Sequence, residues 1–283
     1  MNTNLLRTIT PEEVDNYHCD GVLLLQNMFD KEWIDLLNKG LDVNCESPTE
    51  RSRIWDKDDS GHTMFYDTLA WREIEEYKKF IFNSPAAQIC GQLMNAKTIN
   101  FFFDAVFVRS PGTKFETPWH QDEPYWSIEG YDSCTLWMPL VPVKQKNSLS
   151  FVPGSHSLKS VFNQYNFADL TGNPKDQVDF SKIADQEFPD INADPEHFGV
   201  MSWEMQPGDC VAFNGRTMHG GSGKLDNDRD LRVFTTKWLG DDVRIKFRNC
   251  GMDPDFSSLM IKKGLKFGDR PDTDLYPQIW KRS

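Results

Sequence analysis

The sequence has no C-x-x-C pair: its six cysteines, Cys19, Cys45, Cys90, Cys134, Cys210 and Cys250, are scattered along the chain. In a chain this long, that pattern predicts buried free thiols in a reducing compartment rather than a disulfide framework. A basic surplus is also missing. With 31 Lys and Arg against 43 Asp and Glu, the formal charge is −12, which disfavours nucleic acid and anionic membranes as partners. No run approaches the roughly 18 apolar residues of a membrane-crossing helix. Residues 1–11 show no apolar stretch after a basic start, so the expectation is a soluble, cytoplasmic protein. No internal repeat is visible, and nothing in the sequence fixes an oligomeric state.

What is present is aromatic bulk. Twenty Phe and nine Trp within 283 residues can fill one large core, which excludes global disorder. The expected fold is mainly β with a helical N-terminal cover, in one domain over 1–283. Residues 1–97 form the cover, 98–240 the β core with an excursion at 155–200, and 241–283 a tail. Thr10-Pro11-Glu12-Glu13 starts a helix with a hydroxyl cap, Pro in the first turn and Glu three residues after the cap; Gly21 ends it. Val22–Leu25 reads as a short strand. Asp30 caps a second helix carrying Trp33, Leu36, Leu37 and Leu41 on one face, and helices are expected over 71–82 and 85–94. From Thr98 the texture becomes aromatic and β-branched. Strands are expected at 98–109, 135–140, 149–152, 209–213 and 231–239, separated by Gly, Pro, Asn and Asp, as in a sandwich or barrel. The polar stretch after Gly154 serves either as a lid or as an inert excursion.

Three of the histidines and one acid carry the chemistry to be weighed. In Trp119-His120-Gln121-Asp122, an extended backbone turns residues i and i+2 to the same side. His120 and Asp122 can then share one metal. His219 follows the tight turn Gln206-Pro207-Gly208-Asp209 and the strand after it. Two His and one carboxylate with open positions is the ligand set of non-haem Fe(II) oxygenases. Arg232, entering the next strand, offers a planar fork for a carboxylate, with Arg229 as its rival. His156, in Pro-Gly-Ser-His, reads as part of a structural turn. His18, His62 and His197 have no partner at ligand spacing.

The segment Thr117-Pro118-Trp119-His120-Gln121-Asp122-Glu123-Pro124-Tyr125-Trp126 resembles the iron-binding segment of phytanoyl-CoA dioxygenase-like proteins. So do Leu136–Leu140, Ser150–His156, the Pro-Gly-Asp turn, the Gly-Ser after His219, and the tail from Gly240-Asp241-Asp242 to Pro277-Gln278-Ile279-Trp280. The resemblance implies a double-stranded β-helix (jelly-roll, cupin-like) core, Fe(II), 2-oxoglutarate as cosubstrate and O2. It implies His120, Asp122 and His219 as iron ligands, Arg232 as the partner of the distal carboxylate of 2-oxoglutarate, and Trp137 and Ser222 as further cosubstrate contacts. The extra glycine, Gly221, between His-Gly and Ser is a departure that bears on Ser222. Trp119, Tyr125, Trp126 and Phe103 are candidates for the substrate wall, or for packing alone.

The implied activity is a dioxygenase that hydroxylates a small-molecule metabolite or natural-product intermediate and releases succinate and CO2. Halogenating relatives lack the carboxylate, so Asp122 implies oxygen insertion rather than halide transfer. Desaturation or cyclisation on the same site is the nearest alternative. A zinc-binding or non-catalytic jelly roll would not need both an intact triad and an arginine behind it.

Overall fold

The computed structural model describes residues 1–55, 63–113, 116–158, 162–165, 167, 183–184, 186–221, 225, 228–248 and 252–282. Helix α1, Pro11–Asp20, begins as a full capping box, with the Thr10 hydroxyl accepting from Glu13 N and the Glu13 carboxylate accepting from Thr10 N. It ends at Gly21, whose φ of 71° is the left-handed conformation that glycine adopts without steric cost. Strand β1 (Val22–Leu25) and helix α2 (Lys31–Glu46, capped by Asp30) follow. Then come β2 (Arg53–Trp55), β3 (Met64–Thr68), α3 (Glu75–Asn83) and α4 (Ala86–Leu93).

The strands of the core are β4 (Thr98–Arg109), β5 (Ile128–Glu129), β6 (Ser133–Pro139), β7 (Leu149–Phe151), β8 (Cys210–Asn214), β9 (His219–Gly221), β10 (Leu231–Leu239) and β11 (Arg244–Ile245). Helix α5 (Ser257–Lys262) and β12 (Gln278–Lys281) close the chain. The main sheet runs β1-β8-β6-β10-β4-β3-β2, with β12 also on β4; every pairing in it is antiparallel. Two small antiparallel pairs, β7 with β9 and β5 with β11, stand apart from it.

This antiparallel, mainly β architecture agrees with the expected class. The N-terminal third carries more strand than the one expected at Val22–Leu25, because it supplies β2 and β3 as well as β1 to the main sheet. Met64–Thr68 is buried at every position, so it has no polar–apolar alternation from which a strand could be read. Residues 70–72 form a separate 3-10 turn, and the helix expected from Trp71 starts only at Glu75. The tail contributes the strand β12, paired with β4.

The outer face of the sheet carries the helices. Phe234 on β10 meets the rings of Tyr77 and Phe80 from α3 at 4.7 and 5.6 Å; all three side chains are fully buried. The inner face borders the cavity described next. Cys90, Cys134 and Cys210 are buried free thiols as expected, whereas Cys19 and Cys45 are free but exposed; Cys250 lies outside the described residues, as do residues 159–161, 166, 168–182 and 185 of the 155–200 excursion. Among the described residues no helix is long and apolar enough to cross a membrane.

Candidate metal centre and cavity

Two chain segments meet where the sequence motifs converge. His120 and His219 form a β-bridge, each backbone N–H donating to the other's carbonyl at 2.9 Å. The ladder brings the two rings to 4.2 Å between centroids. Asp122 Oδ1 lies 3.5 Å from His120 Nε2 and 3.7 Å from His219 Nε2. One ligand atom from each of the three residues falls within 4.8 Å of the others.

Both imidazoles are oriented from behind. Nδ1 of His120 sits 2.7 Å from Pro118 O, and Nδ1 of His219 sits 3.0 Å from Thr217 O. A carbonyl can only accept, so each Nδ1 carries the proton and each Nε2 keeps its lone pair for the shared centre. Burial, with His120 alongside, pushes the His219 pKa down to about 4, so it is neutral at pH 7. Burial alone would raise Asp122, but the neighbouring imidazoles outweigh it and hold the carboxylate below its ordinary range. A carboxylate and two imidazole Nε2 atoms form the donor set of a mononuclear divalent metal.

The segment bearing His120 and Asp122 is laced to its surroundings. Gln121 N donates to Gln164 Oε1 and Gln121 Nε2 to Arg216 O; Glu123 N donates to Gly215 O at 2.7 Å. Arg248 then clasps the turn after Asp122, donating to Glu123 Oε1, Glu123 O, Trp126 O and Ile128 O. Sequence reasoning passed over Arg248, because it lies in the tail with no motif around it. The glycines after His219 reflect crowding. A Cβ on Gly220 would come within 3.0 Å of Thr117 O, and Gly221 donates its N–H to that same carbonyl. The Ser-His turn is structural as expected: Ser155 Oγ donates to Val152 O and accepts from Met218 N, and His156 bonds His18 O.

The triad opens on a cavity of about 170 Å³. β10 contributes Leu231, Val233, Thr235 and Lys237, and β4 contributes Phe103, Ala105, Phe107 and Arg109. Of the residues singled out by sequence, Trp137, Tyr125, Trp126 and Phe103 line it. Trp119 does not. Its position between His120 and Pro118 turns it to the opposite side of the extended segment, where it packs beside Val152, Ile191 and Met218 and donates to Asn192 Oδ1.

Arg232 is likewise displaced from its expected role. Strand alternation sends residues 231 and 233 inward, so 232 points outward with Phe234. Its guanidinium donates to Asn38 O at 3.0 Å and to Asp42 Oδ1 at 2.6 Å on α2. Arg229 is exposed and pairs with Asp228. Ser222 lies outside the described residues.

Two cations reach the cavity instead. Arg109 is 6% exposed and stands directly across from Leu231 in the β4–β10 register. Asn147, Ser148 and Thr117 line the same cavity, and the buried Ser148 Oγ has no partner among the described residues. Lys237 stands at the other end of β10. Burial pushes its pKa down to about 8, against the pull of Asp122 and Asp104, so it remains cationic at pH 7.

The family profile described as phytanoyl-CoA dioxygenase (PhyH) matches residues 17–229. The chain belongs to this family. No curated protein matches the chain in sequence. The PhyH chain is similar in fold to SnoK, a non-haem α-ketoglutarate-dependent carbocyclase from nogalamycin biosynthesis. They share 17% identity and a TM-score of 0.72, over 99% of this chain and 100% of that one. The epimerase SnoN, solved in complex with Fe3+, α-ketoglutarate and nogalamycin RO, matches at 17% identity and TM-score 0.66, over 95% and 98% of the two chains. EctD from S. alaskensis, solved with 2-oxoglutarate and 5-hydroxyectoine, matches at 15% and 0.64, over 84% and 78%. The PhyH chain thus has the jelly-roll fold of these oxygenases, and His120, Asp122 and His219 form its candidate iron triad.

Proposed function

We propose that this PhyH chain, as one domain over residues 1–283, is an Fe(II)- and 2-oxoglutarate-dependent dioxygenase. It uses O2 to hydroxylate a small-molecule metabolite or natural-product intermediate and releases succinate and CO2. The observation that carries this reading is the convergence of two Nε2 lone pairs and one carboxylate on a point facing an aromatic cavity. His120, Asp122 and His219 would hold iron through one face, leaving the other for cosubstrate and O2. Bound iron with 2-oxoglutarate and O2 would supply the oxidising chemistry; the protein supplies position and exclusion of water.

The cavity suits 2-oxoglutarate at its Arg109 end. A distal carboxylate there would meet the buried Arg109 guanidinium, and the Ser148 hydroxyl, which has no partner among the described residues, lines the same cavity. We therefore assign the carboxylate anchor to Arg109 in place of Arg232, with Trp137 as a wall of the same chamber. Tyr125, Trp126 and Phe103 would face the substrate. Asp122 fills the third protein position on the metal, which favours oxygen insertion over halide transfer. Fold similarity alone does not choose among hydroxylation, cyclisation and epimerisation, and the ligand set argues only against halide transfer, so hydroxylation is the reading put to the test.

The test is direct. Protein supplied with Fe(II), 2-oxoglutarate and O2 is expected to form succinate, slowly alone and faster with a substrate drawn from a metabolite panel. His219→Ala is expected to form none. Failure of the metal-loaded wild type to bind 2-oxoglutarate would overturn the reading.

A further inference from the structure

Lys237 is a charged side chain that the proposed iron and cosubstrate sites do not use. It is 7% exposed, although a lysine stem is long enough to carry its ammonium toward water. Nζ donates to Thr235 Oγ1 at 2.5 Å and stands 4.9 Å from the centre of the Phe103 ring. An ammonium has three donors, and the described residues give this one a single hydrogen-bond acceptor. No carboxylate of the described residues lies within 4.0 Å of it. Asp122 is turned to the metal centre, and Asp104 occupies the other face of β4, where it accepts from Trp71 N.

The residue across from Lys237 on β6 is Thr135. Its Oγ1 is buried, lines the same cavity and has no partner among the described residues. An unsatisfied buried hydroxyl and a desolvated ammonium are each costly. Two of them side by side, facing a cavity walled by Phe103, Tyr125 and Trp126, describe a site for an anionic oxygen on a flat apolar body.

We propose that Lys237 and Thr135 form the anion-binding subsite for the primary substrate, which is therefore a small, largely apolar or aromatic molecule bearing a carboxylate. The ammonium and the hydroxyl donate to the carboxylate, and the aromatic walls take the remainder. This assignment rests on the oxygenase reading for the meaning of "primary substrate", but its binding test does not need turnover.

Benzoate serves as the probe, with benzyl alcohol as its neutral counterpart. Protein loaded anaerobically with Fe(II) and 2-oxoglutarate is titrated with each at pH 7 by calorimetry. Wild type is expected to bind benzoate saturably and at least tenfold more tightly than benzyl alcohol. Lys237→Met is expected to lose that preference, Lys237→Arg to keep it, and Thr135→Val to weaken it severalfold. 2-Oxoglutarate affinity is expected to stay within about threefold of wild type in Lys237→Met and Lys237→Arg. Equal benzoate affinity in wild type and Lys237→Met, or no benzoate binding to wild type, overturns the subsite. Loss of 2-oxoglutarate binding in a folded Lys237→Met would give Lys237 to the cosubstrate instead and also overturns it. If Lys237→Met fails to fold, Lys237→Gln with the Thr135→Val arm decides by the same comparison. Absence of 2-oxoglutarate binding in wild type would instead count against the oxygenase reading.

Discussion

Arg109 and Leu231 occupy one rung of the sheet, facing each other across β4 and β10 with both side chains toward the cavity. One residue further along β10, Arg232 faces the opposite way and pairs with Asp42 on α2. The two arginines therefore make opposite predictions. Arg109→Met should weaken 2-oxoglutarate binding by roughly tenfold to a hundredfold, the worth of a charge-assisted contact of about 1.5–3 kcal/mol. Arg232→Met should leave it within about threefold, because its partly exposed ion pair contributes about 0–1 kcal/mol to stability. Anaerobic titration of the Fe(II)-loaded protein with 2-oxoglutarate measures both. A reversal of the two results would restore Arg232.

Divalent-ion binding should appear as added stability. At an ion concentration of a hundred times Kd, a single native-state site contributes about 2.7 kcal/mol. Wild-type Tm should rise with Mn(II) or anaerobic Fe(II), and His120→Ala, Asp122→Ala and His219→Ala should each show no such rise while keeping a cooperative transition. A variant that retains the full ion-dependent shift would remove its residue from the triad.

The oxygen source of the product tests the reaction type. Turnover under 18O2 should give a product with one labelled oxygen, less any exchange with water, and added chloride or bromide should change neither rate nor product mass. An unlabelled product lighter by two hydrogens would mean desaturation or ring closure on an intact iron site. A halogenated product would contradict the role given to Asp122.

Asp104 should couple stability to pH. It is fully buried, with one oxygen accepting from Trp71 N and the other without a partner among the described residues. Burial raises its pKa to about 7, above the roughly 3.9 expected when unfolded. A raised folded pKa means that the unfolded state releases the proton first. The stability is fully present below about pH 4 and is lost as pH rises toward 7. Asp104→Asn should therefore flatten the dependence of Tm on pH over that window, so that the variant gains on wild type between pH 4 and 8. Parallel curves for the two proteins would show that Asp104 does not titrate in this range.

The legible parts of the sequence were those governed by local rules. Capping residues marked α1 and α2, and β-branched and aromatic density marked β4 and β10. The i, i+2 spacing of His120 and Asp122, joined with His219 after its turn and strand, was enough to propose a shared metal. The same rule, applied to Trp119, would have turned it away from the site. Arg232 was expected to face the cavity, but alternation along β10 turns it outward to Asp42, and a one-residue change of register exchanges the faces of a strand. The place of Arg109 on the cavity wall was not legible for a different reason. Its proximity to the site arises from pairing between strands that are far apart in sequence, and nothing near position 109 announces that pairing. The signal available for Lys237 was weaker but real: counting by twos from Leu231 passes through Val233 and Thr235 and ends on it.

That count by twos sets a length. The rungs of Leu231 and Lys237 are six residues apart on one strand, or roughly 20 Å at the rise of extended backbone. Under the assignments made here, each rung presents one cation, with the metal centre reached from between them. β10 then works as a ruler. The atom that is oxidised is selected by its distance from the substrate's charged end, so lengthening a substrate by one carbon should move the point of attack along the chain rather than abolish it.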